Sequence, residues 1–155
     1  MKAAFAQRNL FKLYFVELNN YMMLRVRRSL YFKRFQKHLR DLHKHLEERD
    51  YVQAAEKIWG AISSLINAYL PEEKMRVKDK KEGFSQLFEL LPNKRRLNQL
   101  LTKYGFKSAY HMAGIASGLH VYFYGGKNYP EEYLKKIMGE FKELLEEIQN
   151  ALLRK

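Results

Sequence analysis

The sequence predicts an all-α protein, an up-and-down helical bundle carrying a basic N-terminal helical extension. Three observations lead there. Apolar residues recur at three- and four-residue steps, no strict apolar/polar alternation bounded by turns is present, and Pro71, Pro92 and Pro130 fall with Gly105, Gly125 and Gly126 between the periodic segments. The 155 residues amount to one domain, and 46% hydrophobic with 14% aromatic residues is too apolar for intrinsic disorder.

Taken in order, residues 1–28 form the extension. Phe5, Leu10, Phe11, Leu13, Tyr14, Phe15, Val16 and Leu18 are too apolar to stand singly in water, so a docked helix is expected there, with a break near Asn19-Asn20. Met22 and Met23 are alternative start positions. An interfacial membrane helix is disfavoured by the irregular apolar spacing. The bundle, residues 29–155, opens with Phe32, Phe35, Leu39, Leu42 and Leu46 as one core-facing stripe; followed backward, that phase meets Arg28 and Arg25.

The clearest helix spans Tyr51 to Leu70. Ala55, Ile58, Ile62, Leu65 and Ile66 supply its face, Pro71 stops it, and Asp50 with Gln53 three positions on has the form of a capping box. The chain should therefore turn near Arg49 into an antiparallel pair. After Pro71 the charged stretch EEKMRVKDKKEG lacks periodicity and is expected to be a mobile loop. Short helices follow near Phe84 to Leu91 and Lys94 to Tyr104, with Gly105 as a C-terminal stop. From Ser108 to Tyr124, Ala109, Ala113 and Ala116 allow close approach of a neighbour. A last helix after Pro130 presents Leu134, Ile137, Phe141, Leu144, Leu145, Ile148 and Leu152.

Charge narrows the function. Lys and Arg outnumber Asp and Glu 29 to 17, a net +12. Residues 1–50 hold 12 Lys+Arg against 5 Asp+Glu, so this third contributes +7. The absence of Cys excludes disulfides, iron–sulfur clusters, a thiol nucleophile and Cys-based zinc sites. No run approaches the roughly 20 apolar residues that cross a bilayer, so no integral membrane association is expected, and a cytoplasmic protein is the expectation. Gly114, Gly118, Gly125 and Gly126 form no phosphate loop. No cofactor is expected.

The segment DYVQAAEKIWGAISSLINAYL (residues 50–70) resembles the signature helix of the archaeal PaREP repetitive family, placed in the HEPN superfamily of helical bundles. GLHVYFYGGKNYPEEYLKKIMGEFKELLEEI (residues 118–148) is similar to that family's Leu-His, aromatic-Tyr, Gly, Pro-Glu-Glu progression into a closing helix. The likeness covers the chain from about residue 29. It implies a HEPN-type bundle, in a superfamily that includes RNA-cleaving toxins, their inactive relatives, and domains paired with minimal nucleotidyltransferases. A nucleotidyltransferase-type protein partner and a role in a toxin–antitoxin or defence system are what the resemblance implies. HEPN ribonucleases carry an Arg, four to six residues, then a His near the start of a late helix. Here His111 and His120 have no Arg at that spacing.

The spacing does occur once, at Arg40 and His45 with Asp41 directly after the Arg, which makes these the candidate catalytic pair of a metal-independent ribonuclease. They lie in an early helix, about one accidental match is expected in a chain of this composition, and residues five apart on a helix point about 140° apart. Catalysis is therefore not the leading expectation. Lys33, Lys37, Arg40 and Lys44 form a better-organised set, an outward ridge about 150° from the apolar face, with Arg25, Arg27, Arg28 and Arg34 nearby as candidate nucleic-acid contacts. RNA or another nucleic acid is the expected partner, a homodimer the expected assembly, and an interaction protein with no nucleic-acid role the alternative.

His38, Asp41 and His45 share one side of the same helix. Positions i and i+7 are about 10 Å apart along the axis, too far to meet one ion, so no metal site is expected. His120 with Tyr124 marks a candidate groove, although a hydrogen-bonded interhelical histidine is the expected role. Trp59 and Gly60 are assigned to helix packing.

Overall fold

A computed structural model describes residues 2–70 and 80–153. Six α-helices and no strand occur among them: α1 (Lys2–Glu47), α2 (Tyr51–Tyr69), α3 (Lys80–Leu90), α4 (Lys94–Lys103), α5 (Ala109–Phe123) and α6 (Glu131–Leu153).

α1 is a single helix of 46 residues, about 70 Å long at 1.5 Å per residue. The expected break at Asn19-Asn20 is absent. Residues 2–47 contain neither Pro nor Gly, and Asn inside a helix costs less than about 1 kcal/mol against Ala, too little to end one. The helix stops at Arg49, which takes a left-handed conformation (φ 56°) where glycine is the usual occupant. The Arg49 N–H donates to the Leu46 carbonyl and the Asp50 N–H to the His45 carbonyl (2.8 Å), a Schellman closure. Asp50 then caps α2 by accepting from the Gln53 N–H at 3.2 Å. Its own N–H is already used by α1, so only half of the expected capping box forms.

The two helices run antiparallel in steady register. Arg28 meets Tyr69, His38 meets Gly60, and Asp41 meets Lys57. Phe35, Leu39 and Leu42 are buried against α2, whose Ala54, Ala55, Ile58, Ala61, Ile62 and Leu65 are buried in turn. α2 is the central element and packs on α1, α3, α5 and α6. The α2–α5 contact is close because Ala113 and Ala116 are fully buried. Gly105 (φ 83°) and Gly125 (φ 80°) terminate α4 and α5 as expected, and every apolar residue anticipated on α6 lies in the core.

Two expectations need correction. The charged stretch after Pro71 does not remain irregular to Gly83: α3 already begins at Lys80, whose ammonium is held by Ser63 Oγ at 3.2 Å. The rest of that stretch, residues 71–79, lies outside the described residues. The second correction concerns the extension, which is helical but docks on none of the other described residues of its chain. Leu10, Phe11, Tyr14, Val16, Tyr21 and Met23 are all more than half exposed. An uninterrupted helix has no turn with which to fold back, and α2 covers α1 only as far as Arg28.

Candidate nucleic-acid interface

The continuity of α1 sets the geometry of the basic residues. Lys33, Arg34, Lys37, Arg40 and Lys44 are exposed, and on a 100°-per-residue helix they fall away from the α2-facing stripe. The acids nearby are engaged elsewhere. Asp41 turns toward Lys57 of α2 (3.8 Å), and Glu47 pairs with His43 at 3.0 Å. Among the described residues, Lys33, Lys37, Arg40 and Lys44 take part in no salt bridge. No salt bridge among the described residues therefore neutralises them along about 16 Å of helix, and the acid across the α1–α6 groove from Arg40 is Glu146 of α6.

Arginine and tyrosine interleave at the N-terminal end of this ridge. The Arg34 guanidinium lies 5.0 Å from the Tyr31 ring centroid and that of half-buried Arg27 lies 5.8 Å from the same ring. Arg25 approaches Tyr21 at 5.8 Å. Arg28 differs: it projects toward α2 and stacks on Tyr69 at 4.8 Å. The eight basic residues singled out in the sequence thus divide into an outer set at positions 33, 34, 37, 40 and 44, half-buried Arg27 on the side of His38 and His45, and Arg25 and Arg28 on the side of the core stripe.

Arg40 and His45 are not brought together. Arg40 lines an open groove between α1 and α6 with Gln36, His43, Glu146, Gln149 and Asn150. His45 turns to the α1–α2 connection, where its Nδ1 lies 3.9 Å from Glu48 and 4.0 Å from Asp50.

His38, Asp41 and His45 do share a side of α1, and that side is the seam with α2. A Cβ at Gly60 would sit 2.7 Å from His38 Cε1, so the glycine makes room for the imidazole. Burial, reinforced by the nearby Lys57 ammonium, lowers the His38 pKa below the ordinary histidine value and keeps the ring neutral. Among the described residues no group of three or more His, Asp or Glu is placed to hold a metal.

A second polar cluster joins α2, α3 and α5. His120 Nδ1 is 3.1 Å from Glu56 Oε2, its ring stacks on Trp59 (centroids 5.3 Å apart), and Tyr124 meets it edge-on at 5.0 Å. Lys80 lies 5.2 Å from the Trp59 ring centroid. His120 is thus the hydrogen-bonded interhelical residue expected. Its partner Glu56 went unnoticed in the sequence, because it is 64 positions away and the only local signal is its place one turn before Gly60 on the polar edge of α2.

The archaeal PaREP1/PaREP8 family model matches residues 30–145, about three quarters of the chain. The protein belongs to that family. No curated protein and no solved structure matches it. The PaREP1/PaREP8 match begins where α1 starts to pack against α2 and ends within α6, so it coincides with the packed bundle and leaves out the uncovered part of α1. No helix among the described residues is long and apolar enough to cross a membrane.

Proposed function

We propose that this PaREP1/PaREP8 protein is a non-catalytic RNA-binding module of HEPN-like architecture that holds the phosphate backbone along the outer face of α1. The observation that carries this is the exposed, unpaired row Lys33, Lys37, Arg40 and Lys44, flanked by arginine–tyrosine stacks at Tyr31. Ammonium and guanidinium groups spaced along one rigid helix neutralise successive phosphates without reading bases, and the half-buried Tyr31 ring, flanked by Arg27 and Arg34, carries no hydrogen-bond readout of a base. Arg40 beside the α1–α6 groove extends the contact toward Gln149 and Asn150. The separation of Arg40 from His45 supports binding over cleavage, since a ribonuclease of this type needs both groups on one phosphate. A role in a toxin–antitoxin or defence system, with a nucleotidyltransferase-type partner, belongs to the same proposal and rests on the family resemblance alone.

The test is the salt dependence of binding to a fluorescent single-stranded RNA. Four phosphate contacts predict that log affinity falls against log salt with a slope of about −3 to −4. Lys37→Glu with Arg40→Glu should weaken binding at every sequence tested and flatten the slope by about 2. No binding at about 50 mM salt, or binding insensitive to salt, rejects the proposal. Cleavage of the RNA in EDTA that disappears in His45→Ala would show an enzyme instead.

A further inference from the structure

The uncovered half of α1 repeats the register of its packed half. With Phe32, Phe35, Leu39, Leu42 and Leu46 as the a and d positions of a heptad, the same positions toward the N-terminus are Arg28 and Arg25, then Tyr21, Leu18, Tyr14 and Phe11. A straight helix drifts about 20° per heptad against this repeat, so the face turns by about 60° between Phe32 and Phe11 and by about 80° between Leu39 and Phe11. The flanking positions strengthen the pattern. Of the nine a, d, e and g positions between residues 10 and 24, eight are apolar and Glu17 is the exception, whereas the six positions on the opposite side are half polar, Lys12, Asn19 and Asn20 with Leu13, Val16 and Met23. α2 ends at Tyr69 beneath Arg28, so Phe11, Tyr14, Leu18 and Tyr21 stand 64%, 63%, 40% and 57% exposed.

We infer that this face is closed by a second copy of the chain. The two arms pair antiparallel about a two-fold axis near residue 16, Phe11 of one copy against Tyr21 of the other and Tyr14 against Leu18. Area selects this occupant and charge its orientation. Covering eight half-exposed large side chains removes on the order of 800 Å² per copy, the size of a standard specific interface. A parallel pair would set Arg25 and Arg28, both at core positions of the repeat, each beside its own counterpart. The antiparallel pair sets Arg25 and Arg28 opposite the neutral Gln7 and Ala4, and its like-charge approaches, Arg8 near Arg25 of the other copy and Glu17 near the axis, lie on a rim where water and salt screen them. The apolar contact also leaves the outer basic ridge of each copy free, so the inference does not depend on RNA binding.

The test uses the whole chain. Light scattering at high micromolar concentration should give twice the 18.6 kDa of one chain. Phe11→Asp with Leu18→Asp should return it to one chain's mass with its melting transition intact, because neither side chain touches the bundle, while Val16→Asp on the opposite face should leave the dimer whole. The chain has no cysteine, so Val26→Cys can carry a single spin label. Antiparallel arms place the two labels about 30 Å apart along the axis, and parallel arms place them within roughly 10–15 Å. A monomer, a dimer indifferent to the double substitution, or a short label distance overturns the inference. So does a monomer whose arm binds phosphatidylcholine–phosphatidylglycerol vesicles and loses that binding in the double variant, which would make a lipid surface the occupant.

Discussion

The two halves of α1 share one backbone and one heptad register, yet they differ in charge, 3 Lys+Arg in residues 2–24 against 8 in residues 25–47, and in what surrounds them. Phe35 and Leu42 are fully buried, while Tyr14 and Tyr21, at the corresponding heptad positions, are more than half exposed. The difference lies in the partner. Asp50 and the turn at Arg49 fold α2 back along residues 28–46, and its length of 19 residues ends the coverage. Helicity and packing are therefore separate properties. Starting a helix is the costly step, so the packed half can extend a helix into the arm where a short isolated segment would be marginal.

The largest effect expected from this comparison is on core truncation. Leu42→Ala should lower unfolding free energy by about 2–5 kcal/mol, because the site is sealed between helices and a cavity remains. Leu18→Ala should change it by less than about 0.5 kcal/mol when urea unfolding is followed at low protein concentration. Running both denaturations at two concentrations sharpens the contrast. A Leu18→Ala effect that grows with concentration marks pairing of the arms, and equal effects of the two substitutions in dilute solution would mean that the arm docks on its own bundle after all.

A smaller effect is expected where the packed half is tightest. Ala is favoured over Gly inside a helix by about 1 kcal/mol, so propensity alone makes Gly60→Ala stabilising. The added methyl would meet the His38 ring at 2.7 Å, and overpacking of this kind costs about 1–3 kcal/mol. Gly60→Ala should therefore destabilise, and in a His38→Ala background the same substitution should turn stabilising. A single variant more stable than the parent would show that His38 swings out freely and that the seam does not hold it.

These contrasts also explain what the sequence made legible. α2 and α6 were bounded correctly because their ends are marked by local chemistry, Asp50 with Pro71 and Pro130 with Glu131. The outer ridge followed from rotation per residue and needed no tertiary knowledge. The break at Asn19-Asn20 failed because the fading of a stripe signals loss of a packing partner and not the end of a helix, which needs a backbone stop. The start of α3 was missed for the converse reason: Lys80, Lys81 and Glu82 are good helix formers, but the apolar period begins only at Phe84. Glu56 beside His120 depends on how α2 and α5 cross, and no spacing within either helix encodes that.

The smallest effect separates the two halves by titration. Burial lowers the His38 pKa, Lys57 and Lys37 lower it further, and Asp41 and Glu56 oppose them. The unfolded chain therefore takes up this proton first as pH falls. The stability contributed by neutral His38 is complete above the unfolded value of 6.5, declines as pH drops below it, and levels off once the folded ring is also protonated. His38→Gln should remove that part of the slope between neutral and mildly acid pH. The arm contains no histidine, so deleting residues 2–24 should leave the slope of the bundle's melting temperature unchanged. If the deletion flattens the slope, or His38→Gln leaves it intact, the pH response belongs elsewhere, and the seam between α1 and α2 is more hydrated than its geometry indicates.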